Sequence, residues 1–220
     1  ERLSNQLLAY DRQKDEFLAK TSHELRTPLH GLINLSQTLL DDPHLQLDKR
    51  HKENVRLINL VGRRLAGLVH DLLDMALIKH GQLRIRTTAV DLGMSVRFVL
   101  ETLAITPMNK QVSIMNELPA ELPHVQADEN RLKQILHNLL ENGLKFTEKG
   151  TVRIYAETRG KELVISIADT GIGIPAEQLD KIFQPFEQYT ETGVQSRNGI
   201  GLGLSITKQL VELQQGTLHV

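Results

Sequence analysis

Cysteine is missing from all 220 residues, which removes disulfides and thiolate metal sites and suits a reducing compartment. Tryptophan is missing as well, and five Phe with three Tyr leave core packing to aliphatic side chains. No apolar run approaches the roughly 18 residues of a membrane span, and the N-terminus lacks a signal-peptide pattern. Neither sign of charge dominates: 26 Lys and Arg against 27 Asp and Glu give a net charge of −1. No global field therefore draws the chain to nucleic acid or anionic lipid. What is present is 40% hydrophobic content, enough for one large or two small domains. The chain opens in mid-helix without an initiating Met, as expected of a segment cut from a membrane protein.

Two textures follow one another. Leu18, Leu25, Leu32 and Leu39 recur every seventh residue and mark the seam of a packed helix. Leu3, Tyr10 and Phe17 share that spacing, so the helix enters as a coiled coil. Asp41-Asp42-Pro43-His44 breaks it, and Asp48 is the expected N-cap of a second helix. There Ile58, Val61, Leu65, Leu68, Leu72 and Met75 are spaced 3, 4, 3, 4, 3, and Lys79, His80 and Gly81 form the end. One hairpin cannot cover seams this long, whereas two can as an intermolecular four-helix bundle, so a homodimer is expected. From about residue 82 the pattern is α+β. A strand is expected at Leu83–Thr87, a helix from Asp91 to about Thr106, and short strands near Val112–Ile114 and His124–Val125. Asp128 should cap a helix through about Phe146; a hairpin of Thr151–Glu157 and Glu162–Asp169 and a last helix over about Gly203–Leu213 complete the pattern.

Four places carry chemistry. In Ser22-His23-Glu24-Leu25-Arg26-Thr27-Pro28-Leu29, a leucine seam at heptad position a puts His23 at f, exposed beside Glu24, with Thr27 one turn on. Pro28 removes a backbone donor and should bend the helix there. On helix 129–146, Leu132, Leu136 and Leu139 are the expected buried stripe, with Asn138 and Asn142 one turn apart on the other side and Lys145 beside Asn142. Neutral amide oxygens can ligate a hard cation such as Mg²⁺, and a lysine suits phosphate oxygens. Asp169-Thr170-Gly171-Ile172-Gly173-Ile174-Pro175 ends a strand with a carboxylate able to accept from an exocyclic base amine; Gly171 and Gly173 allow close backbone approach to a flat ring. Finally, Gly199-Ile200-Gly201-Leu202-Gly203 leads into a helix N-terminus suited to phosphate.

The chain resembles the kinase core of a bacterial sensor histidine kinase over nearly its whole length. SHELRTPL resembles that family's H box, Asn130–Thr147 its N box, Asp169–Pro175 its G1 box, Phe183–Gln188 its F box and Asn198–Leu204 its G2 box. The resemblance implies a helical-hairpin dimerisation and phosphotransfer domain over residues 1–81. A Bergerat-type ATP-binding α/β sandwich would follow over 82–220, stopping short of the family's last two strands. It implies His23 as phosphoacceptor, Asn142 as Mg²⁺ ligand with Asn138 close by, Asp169 as adenine contact, and a lid at about 187–199. ATP and Mg²⁺ would be held by Asn138, Asn142, Lys145, Asp169, Gly171, Gly173, Gly201, Gly203 and Leu204. Ile200 stands where family members usually have threonine.

The expected reaction is autophosphorylation of His23 and transfer to an aspartate on a response regulator receiver domain. Neutral imidazole is nucleophilic near pH 7, and Glu24 is the expected acid–base partner. Thr27 could orient a water for dephosphorylating the regulator, or could bond a carbonyl one turn back and steady the bend. The expected setting is the cytoplasmic portion of a membrane sensor. A Bergerat-type ATPase coupled to conformational change and a non-catalytic dimeric scaffold are the competing readings.

Overall fold

The structure, a computed structural model, describes residues 25–42, 44–104, 111–187 and 201–220. The chain divides into two compact units, 1–83 and 84–220. Among the described residues no helix is long and apolar enough to cross a membrane.

In the first unit, helix α1 occupies residues 25–41, with Pro28 inside its helical span, and α2 runs Lys49–Lys79. Asp48 caps α2 as its residue type dictates: its carboxylate accepts from the His51 backbone N–H at 2.8 Å and faces the His51 ring Nδ1 at 2.7 Å. The backbone N–H of His51, more than its ring, holds this carboxyl below the usual aspartate range. At the other end Gly81 turns left-handed (φ +62°); its N–H donates to Ile78 O and that of Gln82 to Leu77 O, each at 2.9 Å. Two such bonds close a helix with glycine one position past the cap.

Leu29 and Ile33 of α1 and Val69 and Ala76 of α2 form the buried line of the hairpin. Gly62 admits the Ile33 side chain, which would lie only 3.1 Å from a Cβ placed there. Beside it Asn59, 7% exposed, donates to Ile33 O at 3.1 Å and Ser36 Oγ at 2.9 Å, and accepts from Arg63 Nε at 2.8 Å. A buried amide stripped of partners costs about 1–3 kcal/mol, so this bracket opposes any other pairing of α1 with α2.

The expected seam is not buried within one hairpin. Leu25, Leu32 and Leu39 are each 45% exposed, and Ile58, Val61 and Leu65 are 48%, 56% and 46% exposed. The heptad leucines thus form an outward apolar face, while Leu29, Ile33 and Asn59 close the hairpin itself. An apolar face of this length asks for a second copy. Leu65→Glu, placing a charge at such an interface in both copies, is expected to weaken self-association by at least about 30-fold. Sedimentation across a concentration series measures this, and an unchanged dimer would assign the face another role.

The start of the second unit differs from the sequence pattern. Leu83–Thr87 does not form a strand; β1 is Thr88–Val90, paired antiparallel with β3 (Val125–Ala127) in the register Thr88↔Ala127 and Val90↔Val125. The Arg86 N–H goes to Asp128 Oδ2 at 2.9 Å, a side chain rather than a ladder partner. Helix α3 (Leu92–Ala104) starts where Asp91 Oδ1 accepts from the Met94 N–H at 2.9 Å. β2 (Gln111–Asn116) pairs parallel with β4 (Lys149–Arg159), and β4 pairs antiparallel with β5 (Glu162–Asp169), giving the order β2-β4-β5. Along β4, Val152, Ile154 and Ala156 are buried and alternate with exposed Arg153, Tyr155 and Glu157.

Helix α4 (Glu129–Phe146) is capped by Asp128 and lies on this sheet; α5 is Gly203–Leu213. The buried face of α4 is Leu132, Ile135, Leu136, Leu140, Gly143 and Leu144, whereas Leu139, expected in the stripe, is only half-buried. The reason lies in packing on both flanks. The helix packs against α3, α5 and the sheet, so its apolar arc is wider than a single three-residue line.

Candidate functional site

Three elements of the second unit meet around the C-terminal half of α4. Gly143 marks the first junction: a Cβ there would sit 3.2 Å from Val152 Cγ1 and 3.6 Å from Asp169 Cβ. The helix therefore rests against the end of β5, and Asn142, next in sequence and half-buried, belongs to the same turn. Asp169 is exposed, with Oδ1 accepting from the Gly171 N–H at 2.9 Å.

Gly171 tolerates no side chain. A Cβ would lie 2.4 Å from Phe146 O and 2.8 Å from Asp169 Oδ1. The next residue, Ile172, donates its N–H to the same Phe146 O at 3.3 Å, so the glycine loop serves a carbonyl left unpaired at the end of α4. Gly173 follows in the left-handed region at φ +71°, and Ile172 and Ile174 present exposed apolar side chains around it. Lys145 is half-buried, its Nζ 4.9 Å from the centroid of the Phe146 ring.

The third element is the start of α5. Asn138 Nδ2 lies 3.4 Å from Gly203 O and 3.4 Å from Thr207 Oγ1. This places the N-terminal turn of α5, with half-buried Gly203 and Leu204, beside the polar face of α4. Gly201 (φ +77°) abuts the segment before it: a Cβ there would be 2.6 Å from Glu187 O and 2.9 Å from the Phe186 carbonyl carbon. Phe186 N–H donates to Gly201 O at 2.9 Å while Phe186 itself is left-handed at φ +68°, a conformation that costs a non-glycine residue free energy.

Asn138, Asn142, Asp169, Gly171, Gly201 and Gly203 thus lie on α4 or on the two segments that contact it, with Lys145, Gly173 and Leu204 on the same segments. Thr27 is exposed on α1, in the other unit. His23 and Glu24 lie outside the described residues, as do Asn198, Gly199, Ile200 and all of the expected lid except Glu187. Sequence reasoning passed over Gly143 and Thr207. The signal for Thr207 was present: it stands one turn from Gly203, hence on the same helix face.

Residues 13–81 match the family described as His Kinase A (phospho-acceptor) domain. Residues 127–220 match the family described as Histidine kinase-, DNA gyrase B-, and HSP90-like ATPase. The circadian input-output histidine kinase CikA of Synechococcus elongatus is 38% identical over 94% of this chain and 28% of its own length. The autoinducer 2 sensor kinase/phosphatase LuxQ of Vibrio cholerae is 37% identical over 95% of this chain and 25% of its own. The chain thus spans about a quarter of the length of these curated relatives. Among solved structures, full-length ShkA in complex with AMPPNP superposes with a TM-score of 0.68 at 32% identity, over 90% of this chain and 40% of that one. Histidine kinase ThkA in complex with response regulator TrrA gives 0.57 at 25% identity, over 98% and 61%.

Proposed function

The chain belongs to the sensor histidine kinases, and from that membership we propose that it transfers the γ-phosphoryl group of ATP to His23 and then to an aspartate of a response regulator. Residues 1–81 are the dimerising phosphotransfer part and 82–220 the ATP-binding part of a longer sensor protein, this segment lying on its cytoplasmic side. The observation that carries the reading is the meeting of Asn138 with Gly203 at 3.4 Å, which sets an amide-bearing helix face against a helix N-terminus. Such a terminus favours anions, and neutral amides accept a hard cation without overcharging it.

The residues present suit a Mg-nucleotide. At Gly171 and Gly201 an added Cβ would collide with backbone, so both loops hold their main chain close to neighbouring segments. Asp169 would accept from the base amine, the exposed Ile172 and Ile174 would cover the ring, and Lys145 with the first N–H groups of α5 would meet phosphate oxygens. Asn142, assisted by Asn138, would hold Mg²⁺, which when bound neutralises charge on the phosphates. His23, as neutral imidazole, would form the new N–P bond as ADP leaves, and Glu24 would hold the proton on the other ring nitrogen. His23 and the nucleotide residues belong to different units, so transfer requires the two to meet.

Incubation with γ-labelled ATP and mapping of the labelled residue tests this directly. Acid-labile label at His23 supports the kinase, whereas phosphate released only to solution would favour a Bergerat-type ATPase.

The same hairpin is proposed to reverse the signal. Thr27 is exposed on α1 and stands four residues after His23 in the sequence, and its hydroxyl can orient a water toward a phosphoryl group on the docked regulator. Thr27→Ala is expected to lower regulator dephosphorylation by about tenfold or more while leaving autophosphorylation within about twofold. Equal losses in both assays would mean that Thr27 shapes the helix instead.

A further inference from the structure

Thr207 is 0% exposed on α5, polar, and absent from the roles assigned above. Its surroundings give it one. Nδ2 of Asn138 stands 3.4 Å from Thr207 Oγ1 and 3.4 Å from Gly203 O, two acceptors one turn apart on α5. A backbone carbonyl can only accept, so the amide end facing α5 has to be the NH₂. The carbonyl branch, Oδ1, is then the one that α5 does not engage. We propose that Thr207 is a positioning residue: with Gly203 O it takes both N–H groups of Asn138 and so fixes Oδ1 as the group offered to the nucleotide-bound cation or to a water on it. This rests on the kinase reading of the site and names a residue that orients it.

The distances set the size of the effect. At 3.4 Å each contact is longer than the usual N–H···O hydrogen bond, so each is weak and neither alone holds the amide firmly. Removing Thr207 Oγ1 leaves one N–H without its acceptor in a half-buried setting and lets the amide turn over, offering a donor where an acceptor is required. Valine keeps the shape of threonine without the oxygen; serine keeps the oxygen without the methyl. Because the hydroxyl acts only through Asn138, its contribution should vanish when that amide is absent.

The test is Mg-ATP affinity by calorimetry on Thr207→Val, Thr207→Ser, Asn138→Ala and the Thr207→Val/Asn138→Ala pair, with thermal melting alongside. Thr207→Val is expected to weaken Mg-ATP binding about fivefold, and ATP binding in the presence of EDTA by less than twofold. Thr207→Ser should restore most of the loss, and the double variant should bind no more weakly than Asn138→Ala alone. Unchanged affinity in Thr207→Val would overturn the proposal. So would losses that add in the double variant, or a drop in melting temperature with no separate effect on the Mg²⁺-dependent part of binding. If the unaltered chain binds no Mg-ATP, the kinase reading falls first; if it binds and only the Thr207 arms fail, the site stands and the positioning role alone is lost.

Discussion

His23→Gln is expected to reduce acid-labile phosphorylation of this chain to background while dimerisation and ATP binding persist. Glutamine keeps the polarity and approximate reach of histidine but has no basic nitrogen lone pair, so it cannot attack phosphorus. The separation of effects follows from the architecture. The exposed apolar face proposed for self-association consists of Leu25, Leu32, Leu39, Ile58, Val61 and Leu65, and the residues proposed for the nucleotide lie in the other unit. Neither set includes residue 23. Incubation with γ-labelled ATP, followed by acid and base treatment, reads the loss, and sedimentation and calorimetry read what is retained. Label remaining in the variant at another of the nine histidines would move the phosphoacceptor elsewhere.

Asn142→Ala carries the second large effect. Asn142 precedes Gly143, whose Cα faces Val152 and Asp169, so its own side chain leaves the helix about 100° away from that contact. Removing a half-buried amide from this position costs the core little, whereas a cation that depends on its oxygen loses a ligand. We expect Mg-ATP affinity to fall at least tenfold, by analogy with what weaker disturbances of metal sites cost, while the melting temperature changes by only a few degrees. ATP binding without Mg²⁺ should change far less. Parallel losses of affinity and of stability would identify Asn142 as a structural residue.

The elements bounded by side-chain chemistry were the ones legible in the sequence. Asp48, Asp91 and Asp128 announce three helix starts because a carboxylate at the N-cap serves N–H groups two or three residues ahead, a purely local act. Gly81 ends α2 for an equally local reason. The failures are long-range. Leu83–Thr87 alternates as a strand should, but a strand needs a partner, and β3 aligns with residues 88–90 instead. The parallel pairing of β2 with β4 joins residues separated by a whole helix, and no periodicity encodes it. A stripe of Leu132, Leu136 and Leu139 fits a helix with one neighbour, whereas α4 has several and buries Leu140 more deeply than Leu139. At the candidate site, residue types and their order along the chain were readable, but their contacts were not. The approach of Asn138 to α5 spans 65 and 69 residues of sequence, and nothing in either segment alone specifies it.

The carbonyl of Phe146 ties the loop after β5 to the end of α4, through Ile172 N–H at 3.3 Å and through a gap at Gly171 too small for any side chain. Asn142 lies four residues before Phe146 on the same helix, about 6 Å along its axis. Asp169, at the base of that loop, and Asn142 are therefore graduations on one rigid ruler. On the proposed reading, a nucleotide would be measured from its base to its phosphates against that length. A molecule with the right ring and the wrong span would then satisfy one mark only by giving up the other, so selection among adenine compounds would become a matter of reach.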